Sequence, residues 1–108
     1  MSAQIGAPTA LACPDCGGGL FELKEGNLHR YRCYLGHAYS PGSLLDAQRE
    51  ELERSLWVAL RVLEERASIL QNMAQQASDR GGINSADQFA ARANELRRHA
   101  ERLRELLR

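Results

Sequence analysis

The stretch CPDCGGGLFELKEGNLHRYRCYLGH, residues 13–37, contains all three cysteines of the 108-residue chain and decides its fold. Two residues separate Cys13 from Cys16, sixteen separate Cys16 from Cys33, and three separate Cys33 from His37. This spacing is typical of a structural zinc site, in which two tight turns each present two ligands to one tetrahedral ion. We therefore predict that Cys13, Cys16, Cys33 and His37 bind one structural Zn²⁺ per chain.

The residues around these ligands suit the turns that such a site needs. Pro14 fixes one backbone angle, while Gly17 and Gly36 permit the positive φ of a metal-binding turn. Four protein ligands leave no position for water or substrate, so we expect the metal to stabilise the fold and not to catalyse a reaction. His29, which lies in a predicted strand, is the alternative fourth ligand.

Other uses of the cysteines fit the sequence less well. A redox Cys-x-x-Cys normally opens a helix, whereas here it opens a glycine-rich turn, and a disulfide would leave one cysteine over. The first twelve residues lack the basic and apolar regions of a secretory signal, so we expect a cytoplasmic protein with reduced thiols. Oxidation of the zinc thiolates with loss of metal remains open as a sensing role.

The sequence predicts a mainly α protein with three parts. Residues 1–12, small and broken by Gly6 and Pro8, are expected to form a flexible tail. Residues 13–40 are expected to form a zinc ribbon, built on a β-hairpin with strands at 20–23 and 28–33. So small a sheet buries little apolar surface, and the metal should supply most of its folding free energy.

The third part, residues 41–108, is predicted to be a long antiparallel helical hairpin. Ser40-Pro41 is a helix-start signal, and nothing interrupts the pattern before residue 79. Gly81-Gly82 predicts the turn, and Ser85 with a glutamine three residues later predicts a second helix over 85–108. Apolar residues recur in steps of four and three, as in a coiled coil. The predicted seam is Leu52, Leu56, Ala59, Leu63, Leu70, Met73 and Ala77, interrupted at Arg66, against Phe89, Ala93, Leu96, Ala100, Leu103 and Leu107.

Not all apolar residues fit this seam. The shorter second helix leaves Leu44, Leu45 and Leu52 uncovered, and we expect them to pack on the ribbon. The aromatic residues expected at that junction are Phe21, Tyr31, Tyr34 and Tyr39. The apolar residues expected beside the seam are Trp57, Leu60, Val62 and Ile69. Such a patch predicts a protein partner and favours a homodimer.

Charge and motifs narrow the function. Fourteen basic residues balance fourteen acidic ones, which argues against a nucleic-acid partner. No apolar run approaches the roughly 20 residues of a membrane span, so we expect no membrane insertion. No nucleophile motif is present, and His99 lies among arginines, so we predict that the chain is not an enzyme. A small basic and aromatic surface nevertheless keeps a nucleic-acid-binding ribbon open as the alternative; its residues are Arg30, Tyr31, Arg32 and Tyr34.

Three motifs together resemble a known bacterial extension. CPDCGG at 13–18, GHAYSP at 36–41 and LWVALRVLEER at 56–66 are similar to the C-terminal extension of some chemotaxis protein-glutamate methylesterases. The resemblance covers residues 13–108 and implies the same metal ligands, but the esterase domain lies upstream in those proteins and its activity is not carried over. We therefore predict a non-enzymatic zinc-binding interaction or regulatory module in bacterial, chemotaxis-related signalling. An accessory subunit acting with a separate methylesterase is a further alternative.

Overall fold

The computed structural model describes residues 6–108, which form a small antiparallel sheet followed by two long helices. The strands are β1 (Ala7–Ala12), β2 (Gly19–Glu25), β3 (Leu28–Arg32) and β4 (Ala38–Tyr39), in the spatial order β1-β2-β3-β4. The helices are α1 (Pro41–Asp79) and α2 (Ile83–Leu107). The prediction of a mainly α chain with a small N-terminal sheet is confirmed. The chain divides into two compact units, Met1–Leu52 and Glu53–Arg108.

The centre of the sheet is the predicted β-hairpin. Glu22 on β2 pairs with Tyr31 on β3, and Glu25 pairs with Leu28. The turn therefore contains only Gly26 and Asn27, and β2 extends two residues beyond the predicted strand 20–23. β4 then pairs with β3, placing Tyr39 opposite Tyr31.

The predicted flexible tail over residues 1–12 is wrong for its second half, while residues 1–5 lie outside the described range. Residues 7–12 form β1, which pairs with β2 and contains an irregularity between Pro8 and Ala12. The Thr9 hydroxyl donates to the carbonyl oxygen of Leu20 at 2.7 Å. Proline, which has no backbone N–H, is tolerated here because β1 is an edge strand and has a neighbouring strand on one side only. The prediction from composition therefore mistook strand β1 for part of a flexible tail.

The core of the first unit lies on one face of the sheet. Leu20 and Tyr39 are buried together with Leu44 from the start of α1, and Tyr31 packs against them. Successive side chains of a strand point to opposite faces, so Phe21 lies on the other face from Leu20.

Only part of the predicted aromatic junction forms. Tyr31 and Tyr39 contact the core, but Phe21 packs edge to face with Tyr34 at a ring distance of 4.9 Å. Tyr34 is 76% exposed. Leu45 and Leu52 are also exposed.

The start of α1 is capped as the sequence predicts. The Ser40 hydroxyl accepts the backbone N–H of Ser43 at 3.1 Å, and the Ser43 hydroxyl accepts the backbone N–H of Ser40 at 2.9 Å. This reciprocal pair has the logic of a capping box, with serine in place of the usual glutamate. It fixes the start of α1 directly after β4.

The second helix begins earlier than predicted. The backbone N–H of Gly82 donates to Ala77 at 2.8 Å, and that of Ala86 donates to Gly82 at 2.9 Å. Gly82 therefore closes one helix and opens the next, and α2 starts at Ile83 instead of Ser85. Ser85 lies inside the helix and does not cap it.

The second unit is a helical hairpin with a seam built mainly of leucine and alanine. On α2 the predicted seam is confirmed: Ala93 and Ala100 are buried, and the other four positions are half-buried. On α1 part of the predicted seam is correct: Leu56, Leu63, Leu70 and Ala77, which repeat every seven residues. The seam residues between them lie one position later in the sequence than predicted. The observed α1 seam is Leu56, Leu60, Leu63, Ala67, Leu70, Ala74 and Ala77. Leu60 is thus a buried seam residue, and Ala59 and Met73 are exposed.

The observed seam is not interrupted at Arg66 as the predicted one is. The seam residue between Leu63 and Leu70 is Ala67, which is only 1% exposed. The sequence permitted both phases, because Ala59 and Leu60 are both apolar, as are Met73 and Ala74. Within the part of the chain that the structure describes, neither helix is long and apolar enough to span a bilayer.

Candidate metal centre

The first turn of the site joins β1 to β2. The backbone N–H of Cys13 donates to Gly18 at 2.6 Å, and that of Gly17 donates back to Cys13 at 2.8 Å. Gly17 has a φ of +76°, which a residue with a β-carbon adopts only with strain. These two bonds fold the chain so that Cys13 and Cys16 point the same way.

The second turn joins β3 to β4 and repeats this arrangement. The backbone N–H of Cys33 donates to His37 at 3.0 Å, and that of Gly36 donates to Cys33 at 3.1 Å. Gly36 has a φ of +96°. The β2–β3 pairing holds the two turns at the same end of the sheet, so residues far apart in sequence meet there.

The four predicted ligand atoms form one cluster. The Sγ atoms of the three cysteines and a ring nitrogen of His37 all lie within 4.8 Å of one another. Cys16 Sγ and Cys33 Sγ are 3.8 Å apart. His37 Nδ1 lies 3.6 Å from Cys13 Sγ and 3.3 Å from Cys33 Sγ.

These distances can be compared with the shell of a tetrahedral zinc ion. With bonds of about 2.3 Å to sulfur and about 2.0 Å to nitrogen, two sulfurs lie about 3.8 Å apart and a sulfur and a nitrogen about 3.5 Å apart. The Cys16–Cys33 separation and the two His37 separations match these values to within about 0.2 Å, and the remaining pairs lie within 4.8 Å. The donor set is therefore compatible with zinc in identity and number.

The site is attached directly to the core of the first unit. Cys13 and Cys33 are 1% and 5% exposed and belong to the same cluster as Leu20 and Leu44. Cys16 is exposed and His37 is half-buried. Two ligands thus contact apolar side chains, and the other two face the surface.

Tyr39 and Asp15 form a polar contact around the buried ligand. The Tyr39 hydroxyl donates to the Asp15 carboxylate and lies 3.5 Å from Cys13 Sγ. Burial, followed by Asp15 and Cys13, raises the pKa of Tyr39 above its usual value, so the phenol keeps its proton. Such outer partners hold metal ligands in place and tune them.

The electrostatics favour thiolates at the two buried cysteines. Burial is the largest influence on Cys13 and raises its pKa, but hydrogen bonds from Tyr39 and from backbone N–H groups lower the net pKa to about 6. Burial also raises the pKa of Cys33 most strongly, yet the backbone N–H groups of His37 and Leu35 bring it below the ordinary value. Thiolate is the form that binds a metal.

The two outer ligands hold their protons more tightly. A hydrogen bond from the Gly18 backbone is the largest influence on Cys16 and lowers its pKa, but burial and the other two cysteines together raise it. The Cys33 sulfur raises the pKa of His37, against a smaller opposing effect of burial. At neutral pH, binding of a metal would therefore displace a proton from Cys16, and the raised pKa of His37 means that protons compete there with a metal more strongly than at an ordinary histidine.

His29, the alternative ligand, does not join the cluster. Its Nε2 lies 2.6 Å from a carboxylate oxygen of Glu22, one strand away, and Tyr31 contacts the same oxygen at 3.4 Å. His99 is exposed on α2. Sequence reasoning missed the roles of Asp15 and Tyr39 at the site, because they are 24 residues apart and meet only when β4 pairs with β3.

Comparison with known proteins adds no relative: no family model, curated protein or solved structure matches the chain.

Proposed function

We propose that the chain is a non-enzymatic zinc-binding interaction module, with a zinc ribbon as its first unit. The observation that supports this most strongly is the clustering of three thiols and one imidazole nitrogen within 4.8 Å of one another. When bound, zinc would supply a cross-link between the two turns and much of the folding free energy of the small sheet. Cys13, Cys16, Cys33 and His37 fill a tetrahedral shell, so no position remains at which a substrate could be activated.

The packing of Leu44 gives this site a second consequence. Leu44 lies in the first turn of α1 and is buried in the same core cluster as Cys13 and Cys33. Binding of the metal would therefore stabilise the start of α1 as well as the sheet. The module would present a helix whose first turns depend on the metal.

A direct test is replacement of zinc by Co²⁺, which reports tetrahedral thiolate coordination in its visible absorption. The wild-type chain should bind one Co²⁺, and His37→Ala should weaken the binding and change the spectrum. His29→Ala is the matched control, because it removes a histidine of the same sheet that lies outside the cluster. Loss of binding in both variants, or in neither, would contradict the proposed ligand set.

The biological setting is proposed from the resemblance to methylesterase extensions. We infer a cytoplasmic role in bacterial chemotaxis-like signalling, with a protein as the partner. Calorimetric titration of the zinc-loaded chain into a chemotaxis methylesterase catalytic domain should release heat that saturates at a simple ratio. The metal-free chain should give none, and absence of heat from both would argue against this partner.

A nucleic-acid-binding ribbon is the second candidate, supported by one exposed surface. Arg30 and Arg32 are exposed on β3, on the face that carries Phe21 and the 76% exposed Tyr34. Arginine beside aromatic rings suits contact with single-stranded bases. Binding to mixed oligonucleotides that weakens steeply with salt would support this candidate, and no binding at low salt would exclude it.

A further inference from the structure

Helix α1 carries a second row of apolar side chains that does not face α2. Val58, Val62, Ile69 and Met73 are 51%, 37%, 58% and 38% exposed. At 3.6 residues per turn they lie within an arc of about 60°, roughly 120° around the helix from the seam. We call these four residues the outer row. An apolar row of this kind on a helix is a contact surface for another helix.

The two flanks of the hairpin differ in character. On the flank away from the outer row, polar pairs connect α1 and α2: Arg104 donates to Glu64, and Arg97 donates to Gln71 at 3.3 Å. On the flank of the outer row, Ile69 and Met73 line an open groove with Arg66 and Arg92. Among the described residues, neither arginine has a carboxylate within ion-pair distance. One flank is thus bridged by polar pairs within the chain, and the other offers apolar surface beside arginines that have no carboxylate partner among the described residues.

The outer row is self-complementary when two copies of α1 run antiparallel. Consider a twofold axis that passes between Glu65 and Arg66. Val62 then faces Ile69 of the second copy, and Val58 faces Met73 of the second copy, because each pair is equidistant from that axis. Four apolar contacts result over 16 residues, Val58 to Met73, or about 24 Å of helix.

The charges at the centre of the row follow the same symmetry. Glu65 of each copy faces Arg66 of the other, which gives two ion pairs at the axis. Glu65 already accepts Arg61 of its own chain at 2.9 Å, and a carboxylate has capacity for a second donor. In a parallel pairing, Glu65 would face Glu65 and Arg66 would face Arg66, which is unfavourable. The charge pattern therefore selects the antiparallel arrangement.

We propose that a second copy of this chain docks on the outer row, antiparallel, with Glu65 and Arg66 paired across the twofold axis. Two hairpins joined in this way form a four-helix bundle. The contact uses the helical unit alone, so it goes beyond the proposed zinc function and does not depend on it. The second copy also covers the groove beside Arg66.

Charge exchange tests both the dimer and its register. Sedimentation equilibrium of the zinc-loaded full chain should show a dimer. Glu65→Arg and Arg66→Glu should each weaken self-association by at least about tenfold, because each makes both central pairs repulsive. An equimolar mixture of the two single variants should associate again, since an acidic copy then meets a basic one. The double variant Glu65→Arg/Arg66→Glu should also dimerise.

Matched controls separate the contact from general charge effects. Glu53→Arg and Arg98→Glu change exposed residues on other faces of the same hairpin and should leave the dimer unchanged. Circular dichroism should show equal helix content in all variants. A wild-type chain that is monomeric at about 1 mM would overturn the proposal. So would single variants that dimerise normally, or a mixture that fails to associate.

Metal analysis of the same samples keeps the two proposals distinct. A metal-free chain that dimerises with this charge dependence would uphold the outer-row contact and contradict the zinc function. A zinc-loaded chain that stays monomeric would overturn the outer-row contact and leave the zinc function intact.

Discussion

Replacing Tyr39 with phenylalanine should weaken zinc binding while preserving the core of the first unit. The Tyr39 side chain is 8% exposed and packs with Leu20 and Leu44, and phenylalanine keeps its ring. The substitution removes only the hydroxyl. This group lies 3.5 Å from Cys13 Sγ and donates to Asp15. The substitution thus removes one outer contact of a buried ligand and little else.

The size of the effect follows from that geometry. A hydrogen bond to a charged group contributes about 1.5–3 kcal/mol of stability. We expect a value at the lower end for the Tyr39 hydroxyl, because its contact with sulfur is long and its other partner, Asp15, is exposed. About 1.4 kcal/mol corresponds to a tenfold change in affinity. Loss of outer partners of metal ligands costs about ten- to hundredfold, so both arguments lead to about tenfold weaker binding.

Competition with a fluorescent zinc chelator at neutral pH measures this change. Tyr34→Phe is the matched control, since Tyr34 is exposed and packs only on Phe21 among the described aromatic rings. The control should bind zinc like the wild type. Affinity of Tyr39→Phe within twofold of the wild type, or an equal loss in Tyr34→Phe, would refute the role of the hydroxyl.

Two further predictions concern the hairpin and the protons of the site. Leu60→Ala should lower the free energy of unfolding by about 2 kcal/mol or more in chemical denaturation, because Leu60 is 2% exposed. Leu52→Ala, at a 59% exposed position, should change it by less than about 0.5 kcal/mol. Equal effects of the two substitutions would contradict the corrected seam. At pH 7.5 Cys13, with its pKa of about 6, is already deprotonated, whereas Cys16, whose pKa is raised above that of an ordinary thiol, still holds its proton. The number of protons released on zinc binding can be measured with a pH indicator dye. Cys16→Ala should release about one proton fewer than the wild type, and Cys13→Ala should release nearly the same number as the wild type. The reverse order would contradict the assigned pKa directions.

Much of the fold was readable from local patterns. Ser40-Pro41 and Gly81-Gly82 mark the first helix because caps and glycine turns act within a few residues. Side-chain periodicity identified the α2 seam, because few seam residues there have an apolar neighbour in the sequence. On α1 two adjacent apolar residues occur at several steps, and only packing against α2 decides between Leu60 and Ala59.

The clustering of the three cysteines and His37 was predicted because structural zinc sites have a characteristic ligand spacing in sequence. What surrounds it was not, because the residues concerned are brought together by strand pairing. β1 escaped notice since it contains a proline and small residues, and it becomes a strand only by hydrogen bonding to β2. Tyr39 was expected at the junction with α1, but its contact with Asp15 and Cys13 depends on a register that no short motif encodes.

Metal binding by the four-residue cluster underlies the proposed function, and native mass spectrometry of the purified chain measures it directly. Spectra before and after a strong chelator give the metal mass per chain and, from the charge-state distribution, the compactness of the fold. We expect one zinc per chain, and a shift to higher charge states when the metal is removed. A chain that carries no metal, or that keeps its compact distribution after zinc is removed, would contradict it.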